Sequence, residues 1–165
     1  MIRVALLEPE IPQNTGNIAR LCAATRTQLH IVGVTGFRLD HRAVRRAGLD
    51  YWDQVSLHRH RDLASLYESL SDARFLYFTT KARQSLLDWS FDQNDCLVFG
   101  RETRGLPEDI LQSNWERCLT IPMLNPKVRS LNLANSVAIA LYEALRQTAA
   151  FGGPHESEQI PGSAK

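Results

Sequence analysis

Three short segments concentrate the residues able to do chemistry. The first is LVFGRETRGLP, residues 97–107. An apolar run (Leu97, Val98, Phe99) breaks at Gly100 and is followed by Arg101, Glu102, Arg104, Gly105 and Pro107. Open α/β sheets bind ligands just past the carboxyl ends of their strands. Glycine there lets a backbone approach a ligand closely or take a positive φ. A strand-to-helix loop with two structural glycines is the plainer alternative. The second segment is EPEIPQNTGNIAR, residues 8–20. Pro9 and Pro12 stiffen a loop, Asn14 can cap a helix, and Gly16 allows close approach. Asn17 and Arg20 then share one face of the first turns, and a glycine-bearing helix N-terminus suits an anion. The spacing is neither GxGxxG nor a Walker loop. The third segment is IPMLNPKVRSLNLANSVA, residues 121–138. It is a proline-marked loop that enters an apolar helix through Ser130, Asn132 and Asn135. Ser130 reads as the N-cap and Asn132 as a first-turn residue, and Ser130 can combine capping with a functional role.

These residues need a scaffold, and the apolar pattern supplies one. Strands are expected at 2–7, 29–32, 55–57, 75–79, 96–99 and 118–121, and helices at 15–26, 41–47, 63–70, 108–111 and 133–148. Alternation of this kind predicts an α/β protein, with a parallel sheet covered by helices on both faces. In the last helix Leu133, Val137, Leu141 and Leu145 form a stripe flanked by Ala134, Ala138, Ala140 and Ala144. That face is wider than one side of a sheet requires, which leaves part of it for another subunit. Residues 1–151 are expected to form a single domain. The polar, Gly- and Pro-bearing stretch 152–165 is expected to be a flexible tail.

The chain has 165 residues, 44% hydrophobic and 22% charged, the balance of a soluble globular protein. No apolar run is long enough for a membrane span, and MIRVALLEPE reads as a first strand and not a signal peptide. Cys22, Cys96 and Cys118 are odd in number and lack CxxC spacing, so they read as reduced core thiols in a cytoplasmic protein, with no metal site. Net charge is only +1, so a polyanion would have to be held by a local patch. Arg38, Arg42, Arg45 and Arg46 lie against one Asp40 at helical spacing, and HRHR follows at 58–61. Such a face suits phosphate contacts; a solvated helix surface is the alternative. The strong excess of arginine over lysine favours bidentate phosphate recognition.

The motifs NTGNIAR, FGRETRGLP and IPMLNPKVRSLNLANSVAIALYE, in this order and spacing, resemble those of the SPOUT superfamily of RNA methyltransferases. The resemblance runs over nearly the whole chain. EPEIPQNTGNIARLCA and RRAGLDYW make it most similar to the small TrmL-type tRNA (cytidine/uridine-34 2′-O)-methyltransferases. Periodicity alone gives an ordinary doubly wound sheet, and connection rules argue against knots. The resemblance instead implies a C-terminal deep trefoil knot with residues 130–145 threaded through it, and a homodimer built on the first and last helices. It also implies S-adenosyl-L-methionine as cofactor (product S-adenosyl-L-homocysteine) and tRNA, in particular leucine tRNA, as substrate, in the cytoplasm.

Site residues follow from the resemblance position by position. Phe78, Gly100, Glu102, Ile121, Met123, Ser130 and Leu131 would hold the cofactor. Glycine at position 100 would spare the ligand a collision, and Glu102 would orient Arg20 or a ribose. Arg20, Ser130 and Asn132 would be catalytic. Asn14, Arg20, Arg42, Arg45, Arg46 and Arg129 would face RNA, with Lys127 adding charge. Because the arginine pKa lies above about 12, Arg20 is better suited to stabilising an alkoxide than to acting as a base. Other readings of the same motifs are methylation of another tRNA position or of ribosomal RNA, and a non-catalytic knotted RNA-binding protein.

Overall fold

The computed structural model describes residues 1–37 and 52–150. The expected helix at 41–47 with Arg42, Arg45 and Arg46, and the tail 152–165, lie outside the described residues. The elements are β1 (Arg3–Leu7), α1 (Pro12–Ala24), β2 (Gln28–Val32), β3 (Leu57–His60), α2 (Leu63–Ser69), β4 (Arg74–Phe78), β5 (Gln84–Ser85), β6 (Asp95–Phe99), α3 (Glu108–Ser113), β7 (Cys118–Thr120) and α4 (Leu133–Gln147). Single 3₁₀ turns sit at Trp52–Gln54, Leu86–Asp88 and Trp115–Arg117.

The strands form one seven-stranded sheet in the order β3-β2-β1-β6-β4-β7-β5, and every pairing is parallel. The expected sheet with helices on both faces is present. Strand side chains alternate between faces, so each central strand feeds two cores. Val4, Leu6, Leu76, Phe78, Leu97 and Phe99 pack under α1 and α4, together with Ile18, Cys22, Val137 and Leu141. Ala5, Leu7, Phe75, Tyr77, Cys96 and Val98 pack on the other face with Leu66 of α2 and Leu111 of α3. β6 is buried at every position, as a central strand covered on both sides must be. Its first residue, Asp95, is fully buried and accepts from Arg74 Nε at 2.6 Å and Nη2 at 2.8 Å.

Three expectations need correction, and a fourth gains detail. β3 runs over Leu57–His60 and not 55–57, and the polar pair Gln84–Ser85 forms an edge strand that no apolar pattern announced. In HRHR, His58, Arg59 and Arg61 are exposed and His60 is half-buried. His30 on β2 stacks against both His58 and His60, and its Nδ1 lies 2.9 Å from His60 Nε2, while Arg61 pairs with Asp62. α1 starts three residues earlier than expected, with Pro12 in its first turn and Ile11 as a cap that offers no side-chain bond. Asn14 is therefore inside the helix and not its cap. At α4 the N-cap is Asn132, not Ser130: its Oδ1 accepts from Ala134 N (2.9 Å) and Asn135 N (3.3 Å).

Candidate active site

The carboxyl ends of the adjacent strands β6, β4 and β7 open into a cavity of about 640 Å³. Ligand pockets are typically of this size and favour this end of an α/β sheet. Phe78 ends β4 and stacks on Phe99, which ends β6, with ring centres 4.6 Å apart. Beyond them Gly100, Glu102, Ile121, Met123, Ser130 and Leu131 all line the cavity, as do Asn14, Arg129 and Asn132. Three segments that are remote in sequence thus meet at one place.

The loop after β6 owes its shape to backbone bonds. Arg101 N donates to Gly105 O (3.2 Å) and Gly105 N donates to Arg101 O (2.8 Å), closing a tight loop over Glu102, Thr103 and Arg104. Gly105 has φ +68°, the left-handed region in which glycine is unstrained. Gly100 has a reason to be glycine that the sequence did not announce. A β-carbon there would lie 2.1 Å from Gly105 C and 2.2 Å from Leu106 N. The space is taken by the chain's own loop, so the residue sets the loop's fold before any ligand arrives.

Glu102 has a structural duty that was not expected. Within the chain its carboxylate points to the start of α1. Oε2 accepts from Glu10 N (2.8 Å), and Oε1 accepts from Ile11 N and Asn14 Nδ2 (both 3.1 Å). It supplies the anionic cap that Ile11 cannot. Asn14 Oδ1 in turn accepts from Asn132 Nδ2 at 3.0 Å. The chain Glu102–Asn14–Asn132 therefore joins the glycine loop, the N-terminus of α1 and the N-terminus of α4. With its oxygen capping α4 and its amide on Asn14, Asn132 is a positioning residue.

Sequence reasoning missed two further ties. Glu8 pairs with Arg101, and the Glu10 carboxylate accepts from Thr103 N (3.1 Å) and Thr103 Oγ1 (2.8 Å). The Thr103 bonds, then Arg101 and Arg104, hold the Glu10 carboxyl below its ordinary pKa. The Glu8 hydrogen bond raises that of Arg101. The only available signal was charge complementarity between EPE and RETR. Thr79, Thr80 and Lys81 after β4 also line the cavity and were not anticipated.

Arg20 does not reach this cavity. It is exposed on α1 and borders a separate cleft with Arg26, Gln54 and Ser56. Among the described residues no cluster of His, Cys, Asp or Glu could hold a metal ion, and no helix is long and apolar enough to cross a membrane. The three cysteines are buried thiols, and burial pushes Cys22 and Cys96 up to about 12.

Comparison with known proteins places the chain. The family model described as SpoU rRNA Methylase matches residues 1–142. The chain belongs to this family. It is 45% identical over 148 residues to the tRNA (cytidine(34)-2′-O)-methyltransferase of Escherichia coli (strain K12), covering 89% of this chain and 94% of that protein. A Bacillus subtilis (strain 168) relative, provisionally named for the same reaction, is 48% identical over 149 residues, covering 88% and 92%. Among solved structures, one described as "Structural insights into the 2-OH methylation of C/U34 on tRNA" matches with TM-score 0.82 and 46% identity, over 89% of this chain and 95% of that one. The SpoU methyltransferase AviRb from Streptomyces viridochromogenes, solved with AdoMet, shares the fold at TM-score 0.73 and 24% identity, over 89% of this chain and 60% of that one.

Proposed function

We propose that this SpoU-family member is an AdoMet-dependent tRNA 2′-O-methyltransferase acting on the wobble nucleotide, cytidine or modified uridine 34. The observation that carries the reading is the convergence of Gly100, Ile121 and Ser130 on one cavity at the carboxyl ends of β6, β4 and β7. The cavity suits the cofactor chemically. Phe78, Phe99, Met123 and Leu131 give it apolar walls for an adenine, and residues 100–106 and 119–121 complete its lining.

When bound, AdoMet supplies an electrophilic methyl group on a sulfonium. The protein's own residues have to place the ribose in line with it, and positioning of this kind lowers a barrier by roughly 7–11 kcal/mol. Ser130, exposed at the rim, faces the ribose, and Asn132 holds that segment through the α4 cap. Arg129 and Lys127 are exposed beside it for phosphate contacts.

Arg20 comes to the site from a second copy of the chain. Two observations support this homodimer. Arg20 lies outside its own chain's cavity, and α4, which packs on α1, still exposes Ile139 and Tyr142 to 42% and 48%. Arg20 binds phosphate and hydroxyl through its planar fork and stabilises the developing alkoxide. Residues 1–151 act as a single methyltransferase domain. Threading of 130–145 as a deep trefoil knot is part of this reading, and the return of the 121–132 segment past the cavity mouth to α4 supports it. The reaction belongs in the cytoplasm, where reduced thiols such as Cys22 persist.

Mass spectrometry of total tRNA from cells lacking the protein tests the function. One 2′-O-methyl mark, at nucleotide 34, disappears, with leucine tRNA the first species to inspect. An unchanged profile together with no calorimetric AdoMet binding overturns the reading. Mixing Arg20→Ala protein with Gly100→Ala protein tests the shared site. Heterodimers regain activity at one of their two sites if Arg20 acts across the dimer, and none if it acts within its own chain.

A further inference from the structure

The second cleft lies between the C-terminal half of α1 and the segment after Trp52, with a volume of about 540 Å³. Arg20 and Arg26 border it, Ala23 and Ala24 leave it open, and Gln54 and Ser56 add polar groups. Among the described residues that line it, none is a carboxylate. Its chemistry is that of an anion site.

Arg26 stands there on an unusual backbone. Thr27 N donates to Cys22 O (2.8 Å) and Arg26 N donates to Ala23 O (3.2 Å), the paired bonds of a Schellman motif that ends α1 at Thr25. Arg26 occupies the position that glycine usually takes, with φ +53°. An L-residue with a β-carbon is strained in that region. Backbone strain held at a charged, exposed side chain is a pointer to function. The helix end itself gains something from a cation, so the two reasons have to be separated by experiment.

We propose that this cleft is a second RNA subsite, which holds a backbone phosphate of the substrate strand with Arg26 as its positioning donor beside Arg20. The inference rests on the RNA-methylating function proposed above and deepens it. Arg26 follows Arg20 by six residues, so a strand whose reacting sugar meets Arg20 has its neighbouring phosphates within reach of the same cleft. The ligand is a phosphodiester, recognised by charge and by the guanidinium fork and not by base identity.

The test compares wild type with Arg26→Gly and Arg26→Gln by equilibrium tRNA binding over a salt series, with thermal midpoint and AdoMet affinity measured alongside. Each phosphate contact on a single strand contributes about 0.7 to the slope of log K against log salt. Between 50 and 200 mM salt the wild type should therefore lose about 2.6-fold more affinity than either variant. AdoMet affinity stays unchanged. Arg26→Gly holds or raises the thermal midpoint because glycine relieves the strain. Ala149 supplies an internal control: it has φ +52° after α4, so Ala149→Gly should raise the midpoint and leave RNA binding alone. If Arg26→Gly and Arg26→Gln keep the wild-type slope while wild-type protein methylates tRNA, the phosphate subsite is wrong and the function stands. A lower midpoint in Arg26→Gly with an unchanged slope reduces Arg26 to a helix cap and overturns the proposal. Wild-type protein that binds no tRNA removes the function itself.

Discussion

Glu102→Ala offers a sharp test of how the site is built. α1 opens on Ile11, which has no capping group, so the early amide donors rely on one carboxylate from 91–92 residues away. Alanine removes three charge-assisted bonds at once, to Glu10 N, Ile11 N and Asn14 Nδ2. The two amide bonds are at an exposed position, where water substitutes, so their loss is comparable to loss of an ordinary helix cap, about 1 kcal/mol. The Asn14 amide is different. Asn14 is only 7% exposed, and an unsatisfied buried donor costs about 1–3 kcal/mol. It cannot simply flip, because its oxygen already accepts from Asn132. The total is about 2–4 kcal/mol, or a thermal midpoint lower by roughly 4–16 °C for a domain of this size. Glu102→Gln keeps one acceptor; with that oxygen on Ile11 N and Asn14 Nδ2 its NH₂ turns toward Glu10 N, so it should fall between alanine and wild type. Denaturant unfolding gives the free energies, and calorimetry with AdoMet reports whether the 100–105 loop loosens in parallel. An alanine variant within about 0.5 kcal/mol of wild type, the usual scatter for an uninvolved surface position, with cofactor affinity intact, would refute the claim that this carboxylate ties the glycine loop to α1.

Three other perturbations have definite outcomes. Gly100→Ala pushes a β-carbon to 2.1 Å from the Gly105 backbone and should cost about 1–3 kcal/mol or more, with cofactor affinity measurably reduced in calorimetry. Asp95→Asn removes the charge that Arg74 and the Asp92 N–H meet in the core; a loss of about 2–4 kcal/mol is expected in denaturant unfolding. Acid sensitivity should trace to the histidine stack. Burial, then His58, His60 and Arg3, pushes the His30 pKa down to about 3, and burial lowers that of His60. The unfolded chain takes up protons near pH 6.5 that the folded chain refuses, so stability is complete above that pH and falls as pH drops. The slope is about 1.4 kcal/mol per pH unit for each excluded proton. His30→Gln should flatten the pH 6.5–5 portion of the stability curve, and an unchanged slope would place the acid sensitivity elsewhere.

Much of the scaffold was legible because burial leaves a one-dimensional trace. β6 is apolar after Asp95, β1 and β4 carry apolar runs, and α4 repeats leucine and valine at steps of four. What escaped was set by partners distant in sequence. Gln84–Ser85 is a strand only because β7 presents an edge to it. β3 hides its register because His58 and His60 sit beside His30 of β2 and stack on it, so the polar residues of a sheet strand looked like a basic patch. The start of α1 was displaced because the cap belongs to another segment. Asn14 has the composition of an N-cap and performs a different task. The site residues were legible as a set, since ten of the residues expected there do line the cavity. Their individual duties were not. Gly100 already yields space to Gly105 and Leu106 of its own loop, and Asn132, not Ser130, caps α4. Residue type restricts what an atom can bond to, but the fold decides which partner it meets.

The stitching has a functional consequence that no single motif carries. The β1–α1 loop and the β6 loop are joined by Glu8–Arg101, Glu10–Thr103 and Glu102 with the α1 N-terminus. Asn14 continues the chain of bonds to Asn132 and α4. A ligand held by the β6 loop is therefore linked to the order of α1, the helix that carries Arg20 and ends at Arg26. Ligand that binds only the ordered arrangement stabilises it by RT ln(1 + [L]/Kd), about 2.7 kcal/mol at one hundred times Kd. Coupling of this kind is reciprocal. RNA that engages α1 must then raise cofactor affinity by the same factor that cofactor raises RNA affinity. The linking bonds are few and identifiable, so the coupling should be separable from binding itself. Asn14→Ala leaves Gly100, Ile121 and Ser130 in place, yet it breaks the bonds to both Glu102 and Asn132. If the stitching transmits order, this variant loses the mutual enhancement, over and above any change in its affinity for each ligand alone. If enhancement survives, order passes by another route, through the packed cores beneath α1 and α4.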